Sequence, residues 1–321
     1  MIYFLVTIDT EEEGLWGSEY KRHLEYTVEN IRHLVPFQKF CNEAGIRPTY
    51  LIDYPVATTG LSVEILRNFV RNNNCEIGAH LHPWCNPPYE EELNVLNSYT
   101  NNLPAELQLK KMTVLTEVIS ENLQIQPISY RAGRYGFDHA MIPILESLGY
   151  KVDSSVVPLR KTGRPGEPVF DLVSLNPYRL DYQDVCRPGD SSIVEIPITV
   201  GFTRRLPGFF KRSYNDLPSI GIRRLLKTLL KIDLVWLRPS YSSLEYMKRL
   251  VDNLIKERVF VFNMMFHSTE LMPGASKYNR TVEDVEVFMA KIKGIIHHLT
   301  EKYPVQFVTL KDVPALTYSD L

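Results

Sequence analysis

The sequence predicts an α/β fold, a distorted (β/α) barrel of seven to eight strands with insertions. Short apolar runs rich in β-branched and aromatic residues recur along the 321 residues, and helical patterns lie between them. That alternation is typical of βα units on a parallel sheet. The length also fits one elaborated barrel, because such domains commonly reach about 250 residues and accept insertions.

Eight apolar runs are the candidate strands. In chain order they are Ile2 to Ile8, Thr49 to Ile52, Cys75 to Ala79, Ile128 to Tyr130, Lys151 to Ser154, Ile193 to Ile198, Val259 to Phe266 and Val305 to Thr309. The helical patterns between them cover 26–44, 62–72, 105–122, 139–148, 244–257 and 282–301. Gly45 and Gly149 follow two of these patterns, where a left-handed glycine commonly ends a helix.

Two stretches interrupt this alternation, at about 158–190 and 202–240. We expect a single barrel domain over residues 1–321 with insertions at these places. The second stretch spaces leucines and isoleucines among many arginines and lysines between Arg204 and Lys231. Such a basic amphipathic pattern indicates either a packed helix with a solvated basic face or a peripheral contact with an anionic membrane surface.

Composition excludes several classes of function. The chain has 36 basic and 38 acidic residues, a net charge of -2, so no strong positive field favours nucleic acid. Its four cysteines show no CxxC pair and are expected to be reduced thiols. The N-terminal apolar run stops at Asp9 and has no basic region before it, unlike a signal peptide. We therefore expect a cytoplasmic protein that binds no nucleic acid.

Two carboxylates end the first predicted strand. Asp9 and Glu11 are two residues apart, so both share one face of the strand while Thr10 faces the other. One carboxylate can bind a divalent metal while the other accepts a proton from water. Because Glu12 and Glu13 follow directly, the alternative is an exposed acidic turn.

Two histidines follow the third predicted strand. His80 and His82 are separated by one residue, so both imidazoles can face one ion. Imidazole together with carboxylate suits zinc or another borderline divalent cation. With a third ligand such as Glu11, the ion would keep positions for water and substrate, as a catalytic site requires.

Further polar residues occur at the ends of later strands, which meet at the catalytic face of a parallel barrel. Arg131 follows the fourth strand and can hold a carboxylate such as Asp9, although a surface salt bridge is the alternative. Asp153 lies in the fifth strand. His267 directly follows the hydrophobic strand Val259 to Phe266, and an imidazole at this strand end can act as a general acid.

Aromatic residues close to these strand ends are candidates for substrate contacts. Trp84 and Tyr135 offer flat apolar faces that can stack on a ring of a ligand. The alternative is that they are ordinary core or rim aromatics.

Five ordered segments resemble the motifs of the NodB-homology polysaccharide deacetylases. They are Thr7-Ile-Asp-Thr-Glu11, Glu76-Ile-Gly-Ala-His80-Leu-His-Pro83, Tyr130-Arg-Ala-Gly-Arg134, Val152-Asp-Ser-Ser155 and Met264-Met-Phe-His267. The resemblance extends from residue 1 to about residue 310. Within this superfamily the chain looks most similar to the WbmS-like branch, which is associated with surface polysaccharide gene clusters.

The resemblance implies a hydrolase that uses one divalent metal ion, zinc being expected, to remove an N-acetyl or related acyl group from a sugar. The implied catalytic residues are Asp9 as base, His267 as general acid, and Arg131 and Asp153 as the groups that orient base and acid. The implied metal ligands are Glu11, His80 and His82. The implied substrate contacts are Trp84, Arg134 and Tyr135, with a backbone N–H near Arg134 or Tyr135 holding the oxyanion.

The expected partner is an acylated sugar, nucleotide-linked or lipid-linked, in surface polysaccharide biosynthesis, and the basic segment could then contact the inner membrane face. Two alternatives stay open. One is a deformylase or ureide-type hydrolase that cleaves a C–N bond in a non-sugar amide. The other is a barrel that binds carbohydrate without catalysis.

Overall fold

The computed structural model describes residues 1–16, 22 and 26–316, with the backbone alone at 215, 219 and 220. The strands are β1 (Ile2–Thr10), β2 (Thr49–Ile52), β3 (Glu76–Leu81), β4 (Ser129–Ala132), β5 (Val152–Asp153), β6 (Tyr178–Arg179), β7 (Val194–Glu195), β8 (Val200–Phe202), β9 (Leu234–Trp236), β10 (Val261–His267) and β11 (Val305–Phe307). The helices are α1 (Leu34–Glu43), α2 (Tyr54–Thr58), α3 (Gly60–Arg71), α4 (Ala105–Leu123), α5 (Met141–Ser147), α6 (Gly208–Ser213), α7 (Arg224–Leu229), α8 (Leu244–Lys256), α9 (Val282–Lys302) and α10 (Val313–Leu316).

The main sheet is parallel across most of its width. Within the described ranges its order is β10-β1-β2-β3-β4-β5-β7, and every neighbouring pair in this series is parallel. β11 pairs in parallel with the start of β1, and β6 pairs antiparallel with β7 at the edge. The sheet curls into an open half-barrel with helices, so the predicted distorted (β/α) barrel is confirmed.

Each of the eight predicted strands has a counterpart, although several are shorter. Of the run predicted at Ile193 to Ile198, only Val194–Glu195 forms a strand, β7. The helix predicted over 26–44 begins at Leu34, after a 3₁₀ turn at Glu29–His33. Gly45 and Gly149 have φ of +68° and +86° directly after α1 and α5, as expected of glycines that end helices.

The core forms because β1 has neighbours on both sides and the helices cover the sheet with their apolar faces. Every residue of β1 is buried, which is typical of a central parallel strand. In α8, Met247, Leu250, Val251 and Leu254 are buried at helical spacing, and the Ser243 side chain caps the helix by accepting from the N–H of Tyr246.

The stretches predicted as insertions contain short strands that the sequence pattern does not predict. β6 lies in the first stretch and widens the main sheet. β8 and β9 form a separate antiparallel pair, with α6 and α7 in the chain between them. Among the helices of the described residues, none combines the length and apolar character needed to cross a bilayer. Residues 17–21, 23–25 and 317–321 of the predicted domain lie outside the described part.

Candidate active site

A cavity of about 540 Å³ opens where the carboxyl ends of β1, β3 and β10 meet. The parallel register sets Asp9 beside His267 and His80 beside Arg131. Eight residues predicted from the sequence line this cavity, namely Asp9, Glu11, His80, His82, Trp84, Arg134, Tyr135 and His267. The convergence predicted from the strand ends is therefore present for these side chains.

Glu11, His80 and His82 form the candidate metal-binding group. The Oε2 atom of Glu11 lies 3.6 Å from His80 Nε2 and 3.5 Å from His82 Nε2. His80 Nδ1 lies 2.9 Å from the carbonyl oxygen of Arg131 and can donate to it, which leaves the Nε2 lone pair facing Glu11. Burial lowers the pKa of His80 to about 3 and that of His82 to about 4, so both imidazoles are neutral, as metal ligands must be.

The charge balance around Glu11 also fits a cation. Burial, followed by the nearby carboxylates of Asp9, Glu12 and Asp53, raises the pKa of Glu11 well above its ordinary value. A bound divalent ion would offset both the burial of this carboxylate and its repulsion by neighbouring acids. The donor atoms of Glu11, His80 and His82 lie within 4.8 Å of one another, so the residues present fit one ion.

Glu12 is a buried residue of the candidate site that was not predicted from the sequence. It is only 1% exposed, so the alternative of an exposed acidic turn is wrong for this residue. Its Oε2 lies 3.2 Å from His82 Nδ1, and its Oε1 accepts a hydrogen bond from Trp84 Nε1 at 2.7 Å. Its own N–H donates to Asp53 Oδ2 at 2.9 Å. Glu12 therefore fixes the orientation of His82 from the side opposite Glu11.

Trp84 lies beside His82 rather than standing free in the cavity. The two rings stack with centroids 4.3 Å apart and planes 22° apart, and Trp84 is 3% exposed. Glu12, Asp53, His82 and Cys85 form a second buried group of metal-ligating types. Hydrogen bonds among the first three and to Trp84 already use their facing atoms, so we interpret this group as support for His82.

Arg131 holds Asp9 at the base of the cavity. Its Nη1 donates to Asp9 Oδ1 at 2.6 Å, and its remaining nitrogens donate to Thr7 and Ser154. Arg131 is fully buried, so the alternative of a surface salt bridge is wrong. Burial by itself would raise the pKa of Asp9, but Arg131, His80 and His267 together hold it well below the ordinary range. Asp9 is therefore ionised.

His267 faces the same two carboxylates from β10. Its Nε2 lies 3.8 Å from both Asp9 Oδ2 and Glu11 Oε1. On the other side of the ring, Nδ1 lies 2.8 Å from Glu270 Oε1 and 2.8 Å from Arg238 Nη2. Arg238 and Glu270 also form a buried ion pair. This arrangement leaves Nε2 directed at the cavity.

Glu270 and Arg238 were not predicted as site residues. Glu270 is fully buried, and although burial would raise its pKa, Arg238 and His267 lower it to about 2. The three-residue spacing between His267 and Glu270 could have indicated that these two side chains meet, because a 3₁₀ turn brings such positions together. Arg238 follows β9, inside the stretch predicted as an insertion, and carried no comparable signal.

The structure corrects the expected pairing of Asp153 with the general acid. Asp153 Oδ1 accepts from Ser155 Oγ at 2.7 Å, and its Oδ2 accepts from the Ser155 N–H at 3.0 Å. It is not among the described residues that line the cavity. The physical reason is that β5 and β10 are separated by four strands in the sheet, so Asp153 lies beside Glu195 of β7, its register partner, instead of His267. Glu270 occupies the place expected for Asp153.

The turn after β4 forms one wall of the cavity. Arg134 and Tyr135 both have positive φ, +56° and +62°, a strained backbone that is uncommon for residues other than glycine. Gly133 precedes them, and a Cβ there would lie 2.2 Å from His82 Cδ2. Arg134 donates to the Tyr99 hydroxyl at 2.7 Å, with its guanidinium carbon 3.7 Å from the centre of that ring.

Comparisons with known proteins agree with this fold. No family model and no curated protein matches the chain. A protein of Parabacteroides distasonis named a glycoside hydrolase/deacetylase aligns with a TM-score of 0.64 and 15% identity, over 100% of this chain and 71% of that one. The chain has the fold of that protein.

Two further solved structures align over 99% of this chain and 91% of their own. One is an allantoinase, with a TM-score of 0.56 and 12% identity. The other is a protein of Pseudomonas aeruginosa named a polysaccharide deacetylase, with a TM-score of 0.54 and 13% identity. At these identities the likeness establishes the fold of the chain.

Proposed function

We propose that this protein is a metal-dependent carbohydrate deacetylase of the NodB-homology superfamily, within its WbmS-like branch. It would remove an N-acetyl or related acyl group from a sugar in surface polysaccharide biosynthesis. The observation that carries the proposal is the convergence of Glu11, His80 and His82 in an open cavity, with Asp9 and His267 beside them. We further propose one barrel domain over 1–321, with insertions at about 158–190 and 202–240.

Glu11, His80 and His82 are the proposed ligands of one divalent ion, zinc being the ion that this donor set suits best. When bound, such an ion polarises a carbonyl and makes water more acidic. Because two imidazoles and one carboxylate are only three ligands, the ion would keep a coordination position on the cavity side for substrate. Arg131 and Glu12 then support the ligands through His80 and His82.

Asp9 is the proposed general base. Because its pKa is held low mainly through Arg131, Asp9 is ionised and can take a proton from the attacking water. The water oxygen bonds to the amide carbon, the C–N bond breaks, and the amine leaves with a proton from His267 Nε2. Asp9 then gives its proton up to solvent, and His267 takes one back. The net reaction converts the amide and water into a carboxylate and the ammonium form of the amino sugar, so atoms and charge balance.

His267 acts as the acid with Glu270 and Arg238 behind it. Glu270 stays ionised, so it stabilises the imidazolium form of His267 and directs Nε2 toward the leaving amine. The role proposed for Asp153 is structural support beneath Arg131. The Tyr135 N–H is the proposed oxyanion donor, supported by the strained turn at the cavity wall, and Trp84, Arg134 and Tyr135 form the proposed sugar contacts.

The direct test is release of acetate from N-acetylated sugars by the metal-loaded protein. We expect acetate release that stops with a chelator, returns with zinc, and is absent in the Asp9→Asn variant. A panel of N-formyl amides and ureides belongs in the same assay, because an allantoinase shares this fold. Activity on that panel alone would favour the second candidate function, a C–N hydrolase of a non-sugar amide.

We also propose that the second insertion contacts anionic membrane lipid. Phe209, Leu225 and Leu229 are 74%, 56% and 70% exposed beside a run of arginines and lysines. Apolar side chains within a basic surface suit a bilayer with acidic headgroups. Flotation with anionic liposomes at low salt tests it, and a chain that stays unbound there contradicts it.

A further inference from the structure

The cavity has a wall of arginines, and the proposed hydrolysis gives no role to two of them, Arg160 and Arg164. Arg134, Arg160 and Arg164 line it together with the site residues described above. Arg160 and Arg164 belong to the stretch 158–190, which was predicted from the sequence only as an insertion. The first insertion therefore contributes side chains to the cavity.

The arginine wall carries positive charge that nearby acids do not fully neutralise. Within the described ranges, Arg164 has no ion-pair partner, and it is exposed to solvent. Arg160 has one acidic neighbour, Glu167, whose Oε2 lies 3.4 Å from its Nη1. Among the described residues, the carboxylates that line the cavity are Asp9 and Glu11, which are the proposed base and a proposed metal ligand.

Arg160 is the residue that points to a ligand. Its side chain is 9% exposed, and its buried Nη1 forms an ion pair with Glu167 but no hydrogen bond to any of the described residues. Its guanidinium carbon lies 5.1 Å from the ring centre of Tyr135, so it is next to the proposed substrate contacts. Glu167 offsets the charge of Arg160, but a buried N–H donor that makes no hydrogen bond is unfavourable unless a ligand supplies an acceptor.

Glu167 also holds the loop that presents these arginines. Its Oε1 accepts hydrogen bonds from the N–H groups of Gly163 at 2.5 Å and Arg164 at 3.3 Å. The loop is thereby fixed before any ligand arrives, which lowers the entropic cost of binding.

We propose that Arg160 and Arg164, with Arg134 beside them, bind a phosphate group attached to the sugar. The substrate is then a phosphorylated glycan precursor rather than a free sugar or a finished polymer. Guanidinium groups recognise phosphate oxygens through paired, charge-assisted hydrogen bonds. The sequence contains no glycine-rich phosphate loop, so side chains must supply the donors. The identification of the attached group as a sugar rests on the proposed function, whereas the phosphate site does not.

Calorimetric titration of the purified protein with two probes tests this proposal. Uridine diphosphate represents a nucleotide carrier, and farnesyl phosphate represents a polyprenyl carrier. We expect at least one probe to bind, with its affinity reduced about tenfold or more in Arg160→Gln and in Arg164→Gln, since each change removes charge-assisted hydrogen bonds. Binding of only one probe identifies the carrier class.

The matched control is Arg249→Gln, because Arg249 is a partly exposed arginine of α8 that pairs with Glu245 and does not line the cavity. It should leave probe affinity unchanged, and metal content should be the same in all four proteins. Since Arg164 is exposed, its variant keeps the test valid even if Arg160→Gln folds poorly. Binding of neither probe, equal affinity in wild type and both variants, or equally tight binding of glucuronate would overturn the phosphate site.

The binding readout separates this inference from the proposed function. If acetate is released but neither probe binds, the phosphate site is wrong and the deacetylase stands. If the probes bind through Arg160 and Arg164 while no acylated sugar is hydrolysed, the phosphate site stands and the proposed function is wrong.

Discussion

Glu12 joins two side chains of the candidate site, since its carboxylate contacts the His82 ring nitrogen and the Trp84 indole. A glutamine at this position has one oxygen and one NH₂ group, so it can accept from only one of these two donors. We expect Glu12→Gln to weaken zinc affinity about 10- to 100-fold, the usual effect of removing such support from a ligating histidine. Competition with a chelating dye measures this.

Glu13→Gln is the matched control for this change. Glu13 Oε1 accepts from the N–H of Asn30 at 2.6 Å, and a glutamine oxygen can keep that bond. Zinc affinity should therefore stay at the wild-type value. Equal affinity in Glu12→Gln and wild type would show that Glu12 does not hold His82 in place.

Asp9 and Glu11 are two residues apart but have opposite electrostatic surroundings. Arg131 contacts Asp9, whereas Glu11 has other carboxylates nearby. We expect Asp9→Asn to lower kcat by about 10²- to 10⁴-fold with metal retained, because it removes a base rather than a ligand. Glu11→Gln should lose metal and activity together. Loss of metal in Asp9→Asn but not in Glu11→Gln would mean that the two roles are exchanged.

At the scale of elements, the turn after β4 must approach His82 without a side chain at position 133. A Cβ on Gly133 would lie 2.2 Å from His82 Cδ2 and 2.5 Å from the carbonyl oxygen of Leu81. We expect Gly133→Ala to displace His82, with a loss of about 1–3 kcal/mol in stability and of zinc affinity. Thermal denaturation and metal titration measure the two effects.

Gly60→Ala is the control, because nothing lies within 4 Å of a Cβ built at Gly60, which begins α3. Its stability should change by no more than about 1 kcal/mol. If both alanine variants bind zinc as wild type does, the close approach at Gly133 is not what positions His82.

The pairing of β5 with β7 places two carboxyl groups next to each other in the core. Burial, and then the neighbouring Asp153, raises the pKa of Glu195 well above its ordinary value. Between the ordinary pKa of a glutamate and the raised pKa of Glu195, the folded chain holds this proton and the unfolded chain has released it. The free energy of unfolding therefore falls as pH rises through this range. Glu195→Gln removes that cost and can still accept from the Val156 N–H through its oxygen.

We expect the melting temperature of Glu195→Gln, relative to wild type, to increase as pH rises from 5 to 8. Glu64→Gln, at an exposed position of α3, should show no such trend. Parallel melting curves for wild type and Glu195→Gln across this range would contradict the buried pair.

At the scale of the whole molecule, the fold and the convergence of the candidate metal ligands could be predicted from the sequence because each depends on local signals. Strands appear as apolar runs, and parallel strands bring the residues after them together, which is why Glu11, His80 and His82 were expected to lie close to one another. The supporting residues depend on packing between distant segments. Arg238 lies after a three-residue strand in a predicted insertion, and Asp153 could be paired with His267 only by analogy.

The partner of a buried charge is set in three dimensions, so spacing in the sequence alone did not indicate it. Glu12 is part of an acidic run that is typical of solvent-exposed turns, yet Asp53, His82 and Trp84 enclose it. Likewise, Arg160 and Arg164 could be recognised as candidate ligand contacts only from the structure, in which their loop lines the cavity.

The most direct test of the account is the metal content of the purified protein, measured by plasma mass spectrometry beside a His80→Ala, His82→Ala double variant. The account predicts about one divalent ion per chain, as for a three-ligand catalytic site, and its loss in the variant. Absence of metal from the wild-type protein, even after incubation with zinc, cobalt or manganese, would contradict the metal-dependent hydrolase.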